Sequence, residues 1–286
     1  MCNTGFEWGS RTYVMGILNV TPDSFSGDGL LNTTGLLEAA IEQAVGFEED
    51  GADILDVGGE STRPGSAPVD EEEEKRRILP VIREVRKHTT CIISVDTSKA
   101  AVAQAALEAG ADWINDVWAL QRDPQMPAVA AAADCPVALM HNRSKGEFVQ
   151  LDPGLGGMYG AAEYTDVVHD VCADLQMLVN LALQRGIRAE NIILDPGIGF
   201  GKSISQNMAL INHLDDIRAL GYPVLLGASR KSFIGFSQNL LPAERVEGSL
   251  AAAVVGIIRG ADILRAHDVR ETVRAARLAD AIVRAK

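Results

Sequence analysis

The sequence predicts an α/β fold of one kind, a single-domain (β/α)8 TIM barrel, and three observations carry that prediction. Eight short apolar runs alternate with Ala-rich helical stretches from one end of the chain to the other. Each run is mostly a continuous apolar block, as expected of parallel strands covered on both faces. Nearly every run also ends on a polar or charged residue, and in a barrel such ends converge on one mouth.

Taken in order, strands are expected at Tyr13–Leu18, Asp53–Val57, Cys91–Val95, Trp113–Ile114, Pro136–Met140, Asn191–Leu194, Pro223–Leu226 and Asp262–Leu264. Helices are expected near Gly35–Asp50, Asp70–His88, Ser98–Ala109, Met126–Ala133, Ala162–Gln184, Ile204–Leu220, Glu244–Arg259 and Val269–Ala285. Asp70 with Glu73 has capping-box spacing, and the acidic run Glu71–Glu74 precedes Lys75, Arg76 and Arg77, which suits the helix macrodipole. Gly51, Gly110, Gly186, Gly221 and Gly260 read as helix stops. Three of these stops spell Gly-Ala-Asp, at 51, 110 and 260, a local echo of a repeated βα unit.

A chain of 286 residues could hold two ordinary domains or one barrel. No Pro/Gly/Ser-rich linker divides it, which favours one domain over residues 1–286, with residues 1–11 peripheral. A doubly wound open sheet is the structural alternative, but it leaves polar groups at nearly every strand end unexplained.

Apolar residues make up 47% of the chain, enough for a sizeable core, and charged residues 23%, which argues against disorder. The net charge of −13 opposes binding to nucleic acid, so an anionic substrate needs a local basic pocket. Cysteines at 2, 91, 135 and 172 form no CxxC pair and read as reduced core residues of a cytoplasmic protein. Residues 1–11 lack the basic and apolar regions of a signal peptide, and no apolar stretch approaches the length of a membrane span.

The strand-end residues are Asn19, Thr62 with Arg63, Asp96, Asn115, His141 with Asn142, Asp195, Lys231, and Arg265 with His267. Any one alone reads as a helix cap or loop hydrogen bond; eight segments ending this way point to a site. The loops Asn19–Gly29 and Gly58–Gly65 are rich in Gly and hydroxyl groups, as in lids that order over a ligand. The run Asp195–Ser203 resembles a phosphate loop, but Pro196 stands where the first Gly is required, and the Rossmann glycine spacing also fails. It reads instead as a turn that lets a substrate approach the backbone beside Asp195. Lys231, Arg265 and His267 follow the seventh and eighth strands, where barrels bind phosphate, and offer a basic spot for a diphosphate. His88, His169 and His213 fall on helices. No zinc motif, nucleophile elbow or Cys–His spacing occurs, so covalent catalysis is not indicated.

Read together, these segments resemble the dihydropteroate synthase family of pterin-binding TIM barrels over almost the whole chain. The resemblance rests on Met15–Ser26, Asp56–Gly65, Ser94–Thr97, Ile114–Val117, Leu139–His141, Asp195–Lys202, Ser229–Ser232 and Arg265–Val269, in order and at matching spacing. Ala266 stands where Val is common, and Trp118-Ala119-Leu120 replaces a Gly-rich turn; neither change removes a functional group.

The resemblance implies a transferase of folate biosynthesis that joins 6-hydroxymethyl-7,8-dihydropterin diphosphate to 4-aminobenzoate, releasing diphosphate in an SN1-like step. It implies that Asp96, Asn115, Asp195 and Lys231 read the pterin, that Arg265 stacks on its face, and that His267 and Asn19 face the diphosphate. Mg²⁺ is implied as cofactor, with Asn19 its protein contact. Thr62, Arg63 and Ser232 are candidates for the aminobenzoate carboxylate, with Phe200 and Pro64 walling its ring. Asp96, Lys231, Arg265 and His267 are the catalytic candidates. A homodimer is implied, as is a sulfonamide target or a drug-insensitive replacement, depending on residues near Phe200, Thr62–Pro64 and Lys231–Phe233. A pterin-binding methyltransferase barrel and a non-catalytic pterin-binding paralogue are the rival readings. The Thr-Pro-Asp-Ser-Phe-Ser run and Ser-Arg-Lys-Ser oppose the first, and the complete polar set opposes the second.

Overall fold

The computed structural model describes residues 5–20, 33–62, 65–144, 149–152 and 154–285. Their chain order is β1 (Tyr13–Asn19), α1 (Thr33–Glu49), β2 (Ile54–Gly58), α2 (Glu71–His88), β3 (Ile92–Asp96), α3 (Ala100–Ala109), β4 (Trp113–Asp116), α4 (Met126–Ala133) and β5 (Val137–Met140). Then follow β6 (Val149–Asp152), β7 (Gly156–Tyr159), α5 (Val167–Gln184), β8 (Ile192–Asp195), α6 (Ile204–Asn212), α7 (Leu214–Arg218), β9 (Leu225–Leu226), α8 (Ser232–Gln238), α9 (Val246–Ile258), β10 (Ile263–Ala266) and α10 (Val269–Val283).

Eight parallel strands pair in the order β8-β5-β4-β3-β2-β1-β10-β9, and the ends of that row meet through a single bridge, Leu194 to Val224. The fold is the expected (β/α)8 barrel, with all eight expected strands in place. Successive strand residues point to opposite faces, which sorts each strand into an outer and an inner row. Leu55, Val57, Ile93, Val95, Ile114 and Leu194 belong to the large core between strands and helices. The inner row is apolar at the bottom, where Tyr13, Met15, Ile54, Trp113, Ala138, Ile193, Leu225 and Ile263 form a separate cluster. One step higher along the same row stand Asp56, Asp96, Asn115, Asp195 and Arg265. The barrel is therefore a packed oil drop below and a polar ring above.

Residues 5–11, expected to be peripheral, close the floor. Phe6 stacks on Tyr13 at 4.0 Å and meets Trp113 edge-on at 5.6 Å, while Trp8 meets Tyr13 at 5.6 Å.

The helix ends follow the expected chemistry. The Asp70 carboxylate accepts from the Glu73 backbone N–H at 2.8 Å, and all five glycine stops have positive φ. The turn after β4 departs from a glycine pattern: Ala119 and Leu120 take φ of 49° and 67°. The Asp116 carboxylate holds it there, accepting from the N–H of Trp118 and of Leu120 at 2.9 and 2.7 Å.

Four features differ from expectation. The helix expected over 162–184 begins at Val167, and β6 and β7 precede it as an antiparallel hairpin. The helix expected over 204–220 divides at His213, and a separate short helix, α8, precedes α9. Among the described cysteines, Cys91 and Cys135 are buried and Cys172 is half-buried. No helix among the described residues is long and apolar enough to cross a membrane.

Candidate active site

The polar ring is organised around Arg265. It enters from β10, donates through Nε to Asp56 Oδ2 at 2.6 Å and through Nη2 to Asp96 Oδ2 at 2.7 Å. The β-ladder makes this geometry: Asp56 sits opposite Ile17 and Ser94, and Asp96 opposite Gly58 and Asn115. Asn115 Nδ2 donates to the same Asp56 oxygen at 3.0 Å, and Asp56 Oδ1 has no hydrogen-bond partner among the described residues. Burial pushes Asp96 up to about 7, against the attraction of Arg265, with Asp56, Glu74 and Asp116 adding to the rise.

Across the ring, Asp195 ends β8 and accepts the Gly197 N–H on Oδ1 at 2.7 Å; burial raises its pKa. Lys231 lies beyond β9 with its Nζ 4.3 Å from the centre of the Phe200 ring. Burial lowers it to about 8, opposed by Asp195 and Asp96.

Above the ring opens a cavity of about 260 Å³ lined by Asn19, Thr62, Asp96, Phe200, Lys231, Ser232, Arg265 and His267, among others. Eight expected site residues thus meet in one pocket. Asn115 and Asp195, both buried, are absent from its lining and belong to the polar ring beneath it. Arg63 and Pro64 lie outside the described residues, as does most of the first loop, residues 21–32. His267, through its backbone N–H, donates to Ser229 Oγ at 3.1 Å, and its ring Nδ1 lies 3.2 Å from the same atom. The other strand-end histidine, His141, is buried and absent from the pocket lining.

The glycine turn needs a correction. A Cβ on Gly197 would stand 1.9 Å from the His141 carbonyl oxygen, and one on Gly201 would stand 2.8 Å from the backbone of Arg143. Both glycines therefore admit the neighbouring loop after β5 rather than a substrate. Only Gly199 faces the pocket, against the Lys231 stem.

Four contributors escaped the sequence reading. Asp56 is one, and Tyr159 of β7 is another: its ring stacks on Phe200 at 5.6 Å and its hydroxyl donates to the Thr62 carbonyl at 3.1 Å. Arg245 lines the pocket and donates to the carbonyls of Arg230 and Leu155 at 3.1 and 2.8 Å, tying the hairpin to the wall. Glu60 is the fourth; it pairs with Lys99, which also holds the fully buried Glu74. Period-two counting within β2 would have found Asp56, two residues above the inward Ile54. The others depend on loops that carry no such period.

The fold and this pocket define a class, (β/α)8 barrels with a buried polar ring at the carboxyl ends of their strands. The chain belongs to the pterin binding enzyme family, whose pattern matches residues 15–267. It is 47% identical over 280 residues to the dihydropteroate synthase of Clostridium beijerinckii, covering 98% of this chain and 97% of that one. A crystal structure of dihydropteroate synthase from Clostridium difficile in the presence of pteroic acid superposes with a TM-score of 0.88 at 43% identity, covering 97% and 98% of the two chains. The Xanthomonas albilineans enzyme with 4-aminobenzoic acid gives 0.87 at 43% identity, covering 96% and 94%. The activity that goes with these relatives is dihydropteroate synthesis, a transferase reaction of folate biosynthesis.

Proposed function

We propose that the pocket carries out this reaction by stabilising charge rather than by supplying a nucleophile. The observation that carries the reading is the polar ring under the cavity, a buried set of carboxylate, amide, guanidinium and ammonium groups beneath an aromatic wall. A dihydropterin presents donors and acceptors along one edge, which Asp195, Asn115 and Asp96 can read, while Lys231 donates to the ring carbonyl or a ring nitrogen. The C–O bond from the pterin methylene to the diphosphate breaks first, its electron pair leaving with the diphosphate. Asp96 faces the resulting cation. The aminobenzoate amine then forms the new C–N bond and gives up a proton to solvent or diphosphate.

Asn19, Arg265 and His267 line the side of the pocket assigned to the diphosphate. The donor set there suits Mg²⁺: Asn19 offers one hard amide oxygen, and phosphate and water complete such an ion's shell in sites of this kind. When bound, Mg²⁺ would neutralise charge on the departing diphosphate. Phe200 walls the aminobenzoate ring, and Thr62, Ser232 and Arg63 are its carboxylate donors. A sulfonamide, which mimics aminobenzoate, would compete at the same wall.

The test is product formation from both substrates with and without Mg²⁺, together with calorimetry. Lys231→Ala is expected to lose measurable binding of the pterin diphosphate. Unchanged affinity would refute the Lys231 assignment, and binding without product would favour a non-catalytic paralogue.

We further propose a homodimer, acting in the cytoplasm, with α9 and α10 at the subunit contact. Ile258, Leu278 and Ile282 on these adjacent helices are 58%, 65% and 67% exposed, an apolar face that water covers poorly. Leu278→Glu is expected to yield monomers in analytical ultracentrifugation at micromolar concentration; an unchanged dimer would place the contact elsewhere.

A further inference from the structure

Behind the aromatic wall lies a second charged cluster that the reaction above does not use. Lys202 is fully buried and makes no ion pair among the described residues. Its Nζ lies 3.0 Å from His141 Nδ1, 2.9 Å from the Gly197 carbonyl and 3.0 Å from the Phe200 carbonyl. The His141 carbonyl stands farther off, at 3.5 Å, so a three-proton ammonium has three close acceptors and one distant one; burial lowers Lys202 to about 7, and below that pH the group carries its charge.

A charged lysine can only donate, which also fixes the imidazole. With Nδ1 accepting from Lys202, the His141 proton sits on Nε2 and is donated to Asp174 Oδ2, 2.9 Å away. Asp174 in turn accepts from Arg143 Nε at 2.8 Å. Burial and the nearby Lys202 charge push His141 down to about 4, in keeping with a neutral ring between a cation and an anion.

The two carbonyls are the ends of one tight turn, since the Phe200 N–H donates to the Gly197 carbonyl at 3.1 Å. Lys202 therefore clips both ends of the turn that presents Phe200. Asn207 secures the middle, its Oδ1 accepting the Gly199 N–H at 2.7 Å. The ring so presented is the one that Tyr159 stacks on and the Lys231 ammonium covers.

We propose that Lys202 is a positioning residue for the condensation: through the carbonyls of Gly197 and Phe200 it fixes the Phe200 ring, and so sets the affinity for aminobenzoate. This rests on the reading of Phe200 as the wall of the aminobenzoate subsite. Lys202 touches neither substrate. A lysine needed only for folding would leave the kinetics of the folded variant untouched.

The test uses the full chain. Lys202→Met is expected to raise KM for 4-aminobenzoate about ten-fold while kcat changes less than about three-fold, the pattern of lost uniform binding. Binding of the pterin diphosphate, read by calorimetry, is expected to stay within about two-fold. Phe200→Ala should raise KM comparably, and Lys202→Met/Phe200→Ala no further than Phe200→Ala alone, because the two act through one ring. An unchanged KM in a folded Lys202→Met chain, or effects that multiply in the double variant, would overturn the proposal.

Nitrogen-15 NMR of the native protein supplies a measurement that survives if Lys202→Met does not fold. At pH 6, below the value of about 7 to which burial lowers Lys202, it is expected to show a protected Lys202 –NH₃⁺ and a His141 ring protonated on Nε2 alone; a proton on Nδ1 would remove the clip. If the native chain formed no product, the reading of the pocket would fall, and the NMR result together with the Phe200 ring shifts in Lys202→Met would still judge the clip.

Discussion

Arg265→Met is expected to lower kcat/KM by at least about 10²–10³, by analogy with loss of other electrostatic groups, and to cost about 3–5 kcal/mol of stability. The reason is the company Arg265 keeps. It spans Asp56 and Asp96, whose side chains are 0% and 7% exposed. Methionine fills much of the space but leaves two buried carboxylates facing each other.

One of them must then take up a proton, and the sign of the pH effect follows. Asp96 is already raised to about 7 in the native protein, where Arg265 opposes the rise. A carboxyl raised in the folded state contributes stability that is present at low pH and is lost as pH climbs through the folded value. Without Arg265 that value moves higher still, so the variant should be least impaired near pH 5 and most impaired near pH 8. Urea unfolding at both pH values checks this; an equal loss at both would mean that the two carboxylates do not share the arginine.

Asp96→Asn is the second large effect, about 10²–10³ in turnover with the fold retained. Asparagine keeps the size and can still accept from Arg265, but it has no charge to set against a pterin cation. In the native enzyme kcat/KM should rise with pH as Asp96 ionises near 7, then fall as Lys231, held near 8, loses its proton. The variant should lack the rising limb and keep the falling one. Near-normal turnover, or a rising limb that persists, would take Asp96 out of this role.

The barrel was legible because its strands are short, apolar and regularly spaced, and because parallel strands buried on both faces leave continuous runs. Nearly the whole polar ring was legible for a related reason, since a charged residue ending an apolar run is conspicuous. Asp56 was overlooked because it lies inside such a run, between Leu55 and Val57, where only the two-residue alternation distinguishes it from core. The β6–β7 hairpin was overlooked because its strands are only four residues each and carry little apolar signal. Its turn did leave a trace, with Asp152 accepting the N–H of Gly154 and Leu155 in an Asp-Pro-Gly sequence. α8 was illegible for want of length, seven residues ending at a left-handed Asn239. Lys202 was visible as part of a failed phosphate-loop motif and as the end of the Asp195–Lys202 block, and nothing in either pattern says that its ammonium points inward.

The way the cylinder is fastened bears on how it works. β9 contributes two residues, and it joins β8 through one bridge at Val224, so the staves are least securely joined along that line. Asp195 and Lys231 stand on opposite lips of the same line, the first ending β8 and the second following β9. A bicyclic guest that bonds to both laces the gap from within. Occupancy should therefore tighten the container itself, with the benefit concentrated where the backbone has the fewest rungs.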